Sequence, residues 1–70
     1  SEQQLTEKDP NNGRWWLGLA IQQERALQWP AAQRAYQQAL NKVGLSSQSQ
    51  AFIHQRLQLL ASLEETQGAN

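Results

Sequence analysis

Two amphipathic segments of this 70-residue chain, separated by Trp29-Pro30, carry alanine on the same faces as their large apolar residues. Repetition at about 100° per residue predicts a helix in each segment. Alanine at a helix seam lets two backbones approach closely, so the pattern predicts a packed helical hairpin. The predicted faces are Trp15, Trp16, Leu19, Ala20, Ala26 and Leu27 in the first helix, and Ala32, Ala35, Tyr36, Ala39, Leu40 and Val43 in the second.

The composition disfavours strands and favours helices throughout the chain. Thirteen residues are glutamine, an acceptable helix former that solvates a helix face without adding charge. The β-branched residues that strands prefer are few: Thr6, Ile21, Val43, Ile53 and Thr66. A chain of this length forms one domain. We therefore predict a single all-α domain.

The first two helices have recognisable ends. We predict the first over Gly13 to Ala26 and the start of the second at Pro30, because proline suits the first helical position. Gly44 predicts a stop in the left-handed conformation, after which Leu45 folds back against the last turn.

A third helix is predicted over residues 47–65, with Ser47 and Gln50 as its capping box and a disordered tail over 66–70. Its apolar residues form two stripes about 100° apart. Two interpretations of the second stripe remain open: it forms a homodimer, or the first two helices together bury it. The first stripe is Ile53, Leu57 and Leu60, and the second is Phe52, Leu59 and Leu63.

The order of residues in the hairpin resembles the tetratricopeptide repeat, a helix-turn-helix of 34 residues. The matching positions are Trp16, Leu19-Ala20, Ala32, Tyr36 and Ala39, and Asp9-Pro10-Asn11-Asn12 stands where such repeats commonly end. The resemblance implies a hairpin over 13–46, preceded by a polar lead-in over 1–12 that could end an upstream repeat. The predicted core is Trp16, Leu19, Ala20, Ala32, Tyr36, Ala39, Leu40, Ile53, Leu57 and Leu60.

The chain also departs from the repeat pattern. Gln23 replaces the aromatic usual late in the first helix, Leu27 replaces the turn glycine, and Gly44 replaces the terminal proline. Gln50 and His54 break the pattern in the third helix, where a large aromatic and a small residue would recur. The third helix is therefore predicted to cap the hairpin and not to begin a second repeat.

Short strings at residues 13–21, 36–40, 44–47 and 55–57 are similar to biogenesis proteins of the mannose-sensitive haemagglutinin (MSHA) type IV pilus system. This similarity implies a scaffold module at the periplasmic face of the bacterial inner membrane, with its anchor outside this sequence. Other envelope assemblies, such as those of cytochrome c maturation, are alternatives. So is an end cap of a longer repeat array that has no ligand of its own. Apart from the resemblance, a cytoplasmic location fits equally.

Repeat modules of this kind usually bind peptides on the surface lined by the first helix, which here carries Arg14, Leu17, Ile21, Glu24 and Arg25. Leu17 and Ile21 occupy the places where members that bind a terminal carboxylate have lysine and asparagine. The resemblance thus implies an apolar groove, flanked by arginines, for an amphipathic helix or a second copy. In the alternative interpretation, Leu17 and Ile21 are core residues packed against the third helix.

The sequence argues against several other functions. Six basic and six acidic residues leave no basic face for nucleic acid. With no cysteine and one histidine, His54, we expect neither a metal site nor another cofactor. No residue set supplies nucleophile, base and oxyanion donors, so we expect no enzyme activity. Apolar stretches are too short to cross a bilayer, so we expect no direct membrane contact from this segment.

Overall fold

A computed structural model describes residues 8–68 and contains three helices. Helix α1 spans Gly13–Arg25, α2 spans Trp29–Leu40 and α3 spans Ser47–Gly68. The described part of the chain has no strand, only one isolated bridge between Asn12 and Val43. The predicted all-α, three-helix fold is confirmed. Most of the predicted lead-in (residues 1–7) and the last two residues of the predicted tail lie outside the described residues.

Helices α1 and α2 pack antiparallel: the first residue of α1, Gly13, lies beside the end of α2 and the residues that follow it. Ala20 on α1 is fully buried, as are Ala32 and Ala39 on α2, and Ala35 is nearly so. Side chains this small allow the two backbones to lie close together. Around this seam the buried core also includes Tyr36, Ile53 and Leu60.

The other predicted core residues lie at its edge. They are only partly buried but pack against the core: Trp16, Leu19, Leu40 and Leu57. Ala26 and Leu27, predicted on the inner face of α1, are exposed, since α1 ends at Arg25 and both belong to the turn. Val43, predicted on the inner face of α2, is also exposed. That prediction is wrong because α2 ends at Leu40, so Val43 no longer follows the helical spacing.

The backbone of residue 43 nevertheless holds the open end of the hairpin. The Gly13 N–H donates to the Val43 carbonyl at 2.7 Å. A Cβ atom at Gly13 would lie 2.9 Å from the Ala39 carbonyl oxygen and 2.9 Å from Leu45 Cγ, so this contact requires glycine. Gly44 follows with φ of 102°, the left-handed conformation predicted for it. The predicted helix stop at Gly44 is nevertheless wrong, because α2 ends at Leu40 with Asn41 as its cap.

Two side-chain bonds define the start of α1. Asn12 is its N-cap, and Asn12 Oδ1 accepts from the Arg14 N–H at 2.8 Å. The Trp16 indole N–H donates to the Pro10 carbonyl at 2.8 Å, which joins the preceding turn to the helix. The rings of Trp15 and Trp16 meet edge to face with centroids 5.1 Å apart.

Helix α3 packs antiparallel on α2. Gln33, near the start of α2, lies beside Ala61 and Glu64 near the end of α3, whereas Tyr36, further along α2, faces Phe52 near the start of α3. The two rings meet edge to face with centroids 6.3 Å apart. The third helix is therefore held mainly by α2.

Both ends of α3 differ from the prediction. Its cap is Ser46, whose Oγ accepts from the Ser49 N–H at 3.1 Å, so the predicted box of Ser47 and Gln50 is one residue too late. The helix continues past the predicted end at Glu65 to Gly68, because no helix breaker precedes Gly68. Thr66 Oγ1 also donates to the Ser62 carbonyl at 3.0 Å.

The turn between α1 and α2 places a leucine in the left-handed conformation. Leu27 has φ of 63° and its side chain is 73% exposed, so almost no burial compensates its backbone strain. We expect Leu27→Gly to raise the free energy of unfolding by about 0.5–1 kcal/mol, because strain relief outweighs the added freedom of the unfolded chain. Urea denaturation measures the change.

Ala26→Gly is the matched control, since residue 26 is exposed in the same turn, has φ of −83° and gains nothing from glycine. We expect it to lower the free energy of unfolding. A destabilised Leu27→Gly variant would contradict the strain argument.

Candidate functional site

A groove of about 480 Å³ runs between α1 and the segment that leads into α3. One wall is α1, and the other is the Gly44–Ser46 loop together with the first turn of α3. The groove combines apolar and polar lining. Its lining residues are Arg14, Leu17, Gly18, Ile21, Gly44, Ser46 and Ser49.

Leu17 and Ile21 take part in both the core and the groove. Each is partly buried and packs against the core, and each also lines the groove with its accessible part. Both residues therefore belong partly to the core and partly to the groove. Arg14 is exposed and lines the same groove one turn before Leu17.

Glu24, predicted on the binding surface, instead joins the three helices. Its Oε1 accepts from the Tyr36 hydroxyl at 2.7 Å and from Arg56 Nε at 3.2 Å, and its Oε2 forms an ion pair with the Arg56 guanidinium. The side chains of Glu24 and Arg56 are 17% and 32% exposed. This carboxylate is thus already engaged and is not available to a partner.

The partners of Glu24 have matching chemistry. Burial raises the pKa of the Tyr36 hydroxyl, so the hydroxyl stays protonated and donates to the carboxylate. Arg56 was missed by the sequence analysis, although its position between Phe52 and Leu59 on one side of α3 is readable from helical spacing. Only the packing of α1 and α3 on α2 shows that it reaches Glu24.

Arg25 lies outside the groove lining, exposed in the last turn of α1. A cation is favourable there because it complements the negative end of the helix dipole. Arg25 follows Arg14, Gly18 and Ile21 at helical spacings of four, three and four residues, so these four residues share one line along α1.

The predicted self-association stripe on α3 is divided by the structure. Phe52 is 39% exposed and Leu59 is 43% exposed, and the two lie seven residues apart on one side of the helix. Leu63 is partly buried and packs against the core. The accessible apolar surface of the stripe therefore belongs mainly to Phe52 and Leu59.

The rest of the described surface offers a further depression and no metal-binding group. A shallow depression near the end of α3 is lined by Gln58, Ala61, Ser62, Glu64 and Glu65. Across residues 8–68, no group of three or more His, Asp or Glu side chains is placed to hold a metal ion. Within the same range, no helix has both the length and the hydrophobicity needed to cross a membrane.

Comparison of the chain with protein-family models, curated proteins and solved structures found no match.

The three-helix contact at Glu24 makes a testable contribution to stability. We expect Glu24→Gln to lower the free energy of unfolding by about 1–2 kcal/mol, because the amide still accepts from Tyr36 but leaves Arg56 without its carboxylate. Glu65→Gln, at an exposed position on α3, is the control and should change stability by less than about 0.5 kcal/mol. Equal effects of both substitutions in urea denaturation would contradict a structural role for Glu24.

Proposed function

We propose that this module is a non-catalytic scaffold for protein–protein interaction and that the groove along α1 receives an amphipathic helix. One observation carries the proposal. Leu17 and Ile21, one turn apart on α1, keep accessible apolar surface inside a concave groove although the alanine seam beside them is closed. An amphipathic helix presents apolar side chains at the same spacing and can cover this surface.

Affinity at such a site comes from covering apolar area, at about 25 cal/mol per Å² less the costs of association. Because Leu17 and Ile21 are also packed against the core, their positions are fixed before a partner arrives. Fixed side chains lose little conformational entropy on binding, which favours the complex.

The wider setting is proposed from the sequence alone. Resemblance to tetratricopeptide repeats and to MSHA pilus-biogenesis proteins supports a scaffold role in a bacterial envelope complex, at the periplasmic face of the inner membrane. An end cap of a longer array, or a module of another envelope assembly such as cytochrome c maturation, is the alternative. An end cap without a ligand of its own would not bind helices through the groove, so the groove experiment separates the scaffold proposal from the end cap.

The test is an NMR titration of ¹⁵N-labelled protein with a panel of amphipathic helical peptides that differ in the size of their apolar residues and have uncharged polar faces. We expect at least one peptide to bind with Kd below about 1 mM and to shift the amides of residues 14–21 and 44–49. Leu17→Asn and Ile21→Asn should weaken that binding about tenfold or more, because each places an amide on the apolar floor.

Leu63→Asn is the matched control, since Leu63 is also partly buried against the core but lies outside the groove. It should cost similar stability and leave binding unchanged. The groove would be ruled out if no peptide binds, or if folded Leu17→Asn and Ile21→Asn proteins bind as the unmodified protein does.

A second copy of the chain is proposed as a further partner, through the accessible apolar surface of Phe52 and Leu59 on α3. Two copies of α3 placed antiparallel bring Phe52 of one copy against Leu59 of the other, which covers both at once. Arg56 lies between Phe52 and Leu59 on the same side of α3, and its pairing with Glu24 reduces the repulsion between the two copies of this arginine.

Sedimentation equilibrium over a wide concentration range tests this dimer. We expect reversible dimerisation that Leu59→Gln weakens at least tenfold, because the amide replaces apolar surface that the partner copy's Phe52 would cover. Val43→Gln, at an exposed apolar position outside α3, should leave the dimer intact. A monomer at every concentration excludes the dimer and leaves the α1 groove unaffected.

A further inference from the structure

Gly18 has no internal role among the described residues. It lies in the middle of α1 and is exposed, and a Cβ atom built on it would have no neighbour within 4 Å. Glycine is a poor helix former, so alanine at this position would stabilise the isolated fold. The missing side chain keeps the α1 backbone open along the groove, and no described side chain fills that opening.

The free charges along the same line of α1 are all positive. Arg14 and Arg25 are both exposed and lie about 16 Å apart, with Gly18 and Ile21 between them. The one acidic residue of α1, Glu24, is engaged by Tyr36 and Arg56, and none of the residues lining the groove is acidic. This surface therefore has an apolar, open centre with one arginine at each end.

From these observations we propose that the partner is an acidic amphipathic helix that lies along α1 and makes its closest approach at Gly18. Its apolar side chains cover Leu17 and Ile21, and its carboxylates, about three turns apart, pair with Arg14 and Arg25. Absence of a side chain at residue 18 lets the two helix backbones come closer than any other residue would allow.

The charge pattern also excludes a second copy of α1 as the occupant. In an antiparallel pair of α1 helices, Arg14 of one copy would face Arg25 of the other, and like charges at contact are repulsive. This inference rests on the proposed groove function, to which it adds the charge of the partner helix and the point at which that helix crosses α1.

The experiment uses two synthetic helical peptides of about 18 residues. Both carry the same apolar stripe, taken from the best uncharged binder, and they have either glutamate or lysine at two polar positions 11 residues apart. We expect the glutamate peptide to bind at least tenfold tighter than the lysine peptide at low salt, and the difference to shrink in high salt. Arg14→Gln and Arg25→Gln should each reduce this preference.

Gly18→Ala tests the crossing point. We expect it to raise Tm by about 4 °C, as a helix-favouring substitution with no steric conflict, and to weaken the glutamate peptide about tenfold. Gln37→Ala, exposed on α2, is the control and should leave the affinity unchanged. A Gly18→Ala variant that is more stable but binds the peptide more weakly indicates that glycine at residue 18 serves binding and not the fold.

The outcomes separate this inference from the groove itself. If uncharged peptides bind but glutamate and lysine peptides bind equally, or Gly18→Ala leaves affinity unchanged, the acidic-helix inference is overturned and the groove stands. A lower Tm for Gly18→Ala would also overturn it, because glycine would then serve the fold. If no peptide of any charge binds, both proposals fail.

Discussion

Close contact between α1 and α2 through alanine is the constraint on which the rest of the structure depends. Ala20 on α1 and Ala32 and Ala39 on α2 are all fully buried, in a seam from which solvent is excluded. A larger residue at any of these positions would separate the helices, and overpacking of this kind is destabilising. Because the seam is filled by small side chains, the larger apolar residues of α1 lie at its sides, where Leu17 and Ile21 reach the groove.

The second organising contact is the polar cluster of Glu24, Tyr36 and Arg56. Each helix contributes one side chain, so the cluster fixes the rotation of α3 relative to the hairpin as well as its distance. A partly buried carboxylate is costly unless it is paired, and here it receives donors from both neighbouring helices. The same arrangement removes the only acidic group of α1 from the binding surface, which leaves the arginines to determine its charge.

Local sequence was sufficient for the helices and for much of the core. The alanines and Tyr36 were identified by 3.6-residue spacing, and for Gly44 the positive φ was predicted correctly but the helix stop was not. Errors concentrated at helix ends, where capping competes with periodicity: Ser46 in place of Ser47 caps α3, and α2 stops before Val43. Adjacent serines offer equivalent hydroxyls, and only the backbone geometry of the loop selects one of them.

The candidate site was harder to predict than the fold. Arg14, Leu17 and Ile21 were placed on the groove side by the resemblance and helical spacing, and all three line the groove. Glu24 shares that side of the helix by spacing alone, but its partners come from residues 12 and 32 positions away in the chain. Gly18 carried no signal in the sequence, since its significance depends on the open space around it.

The sequence by itself determined three helices and the faces on which their apolar residues lie, because periodicity and helix propensity act within a few residues of the chain. Tertiary structure alone decided which acidic group is engaged, which apolar residues stay accessible and where the groove opens. Those properties depend on how helices distant in sequence are rotated against one another. Side-chain volumes at the alanine seam set the packing of α1 on α2, and the polar cluster sets the rotation of α3, so neither can be read from local sequence.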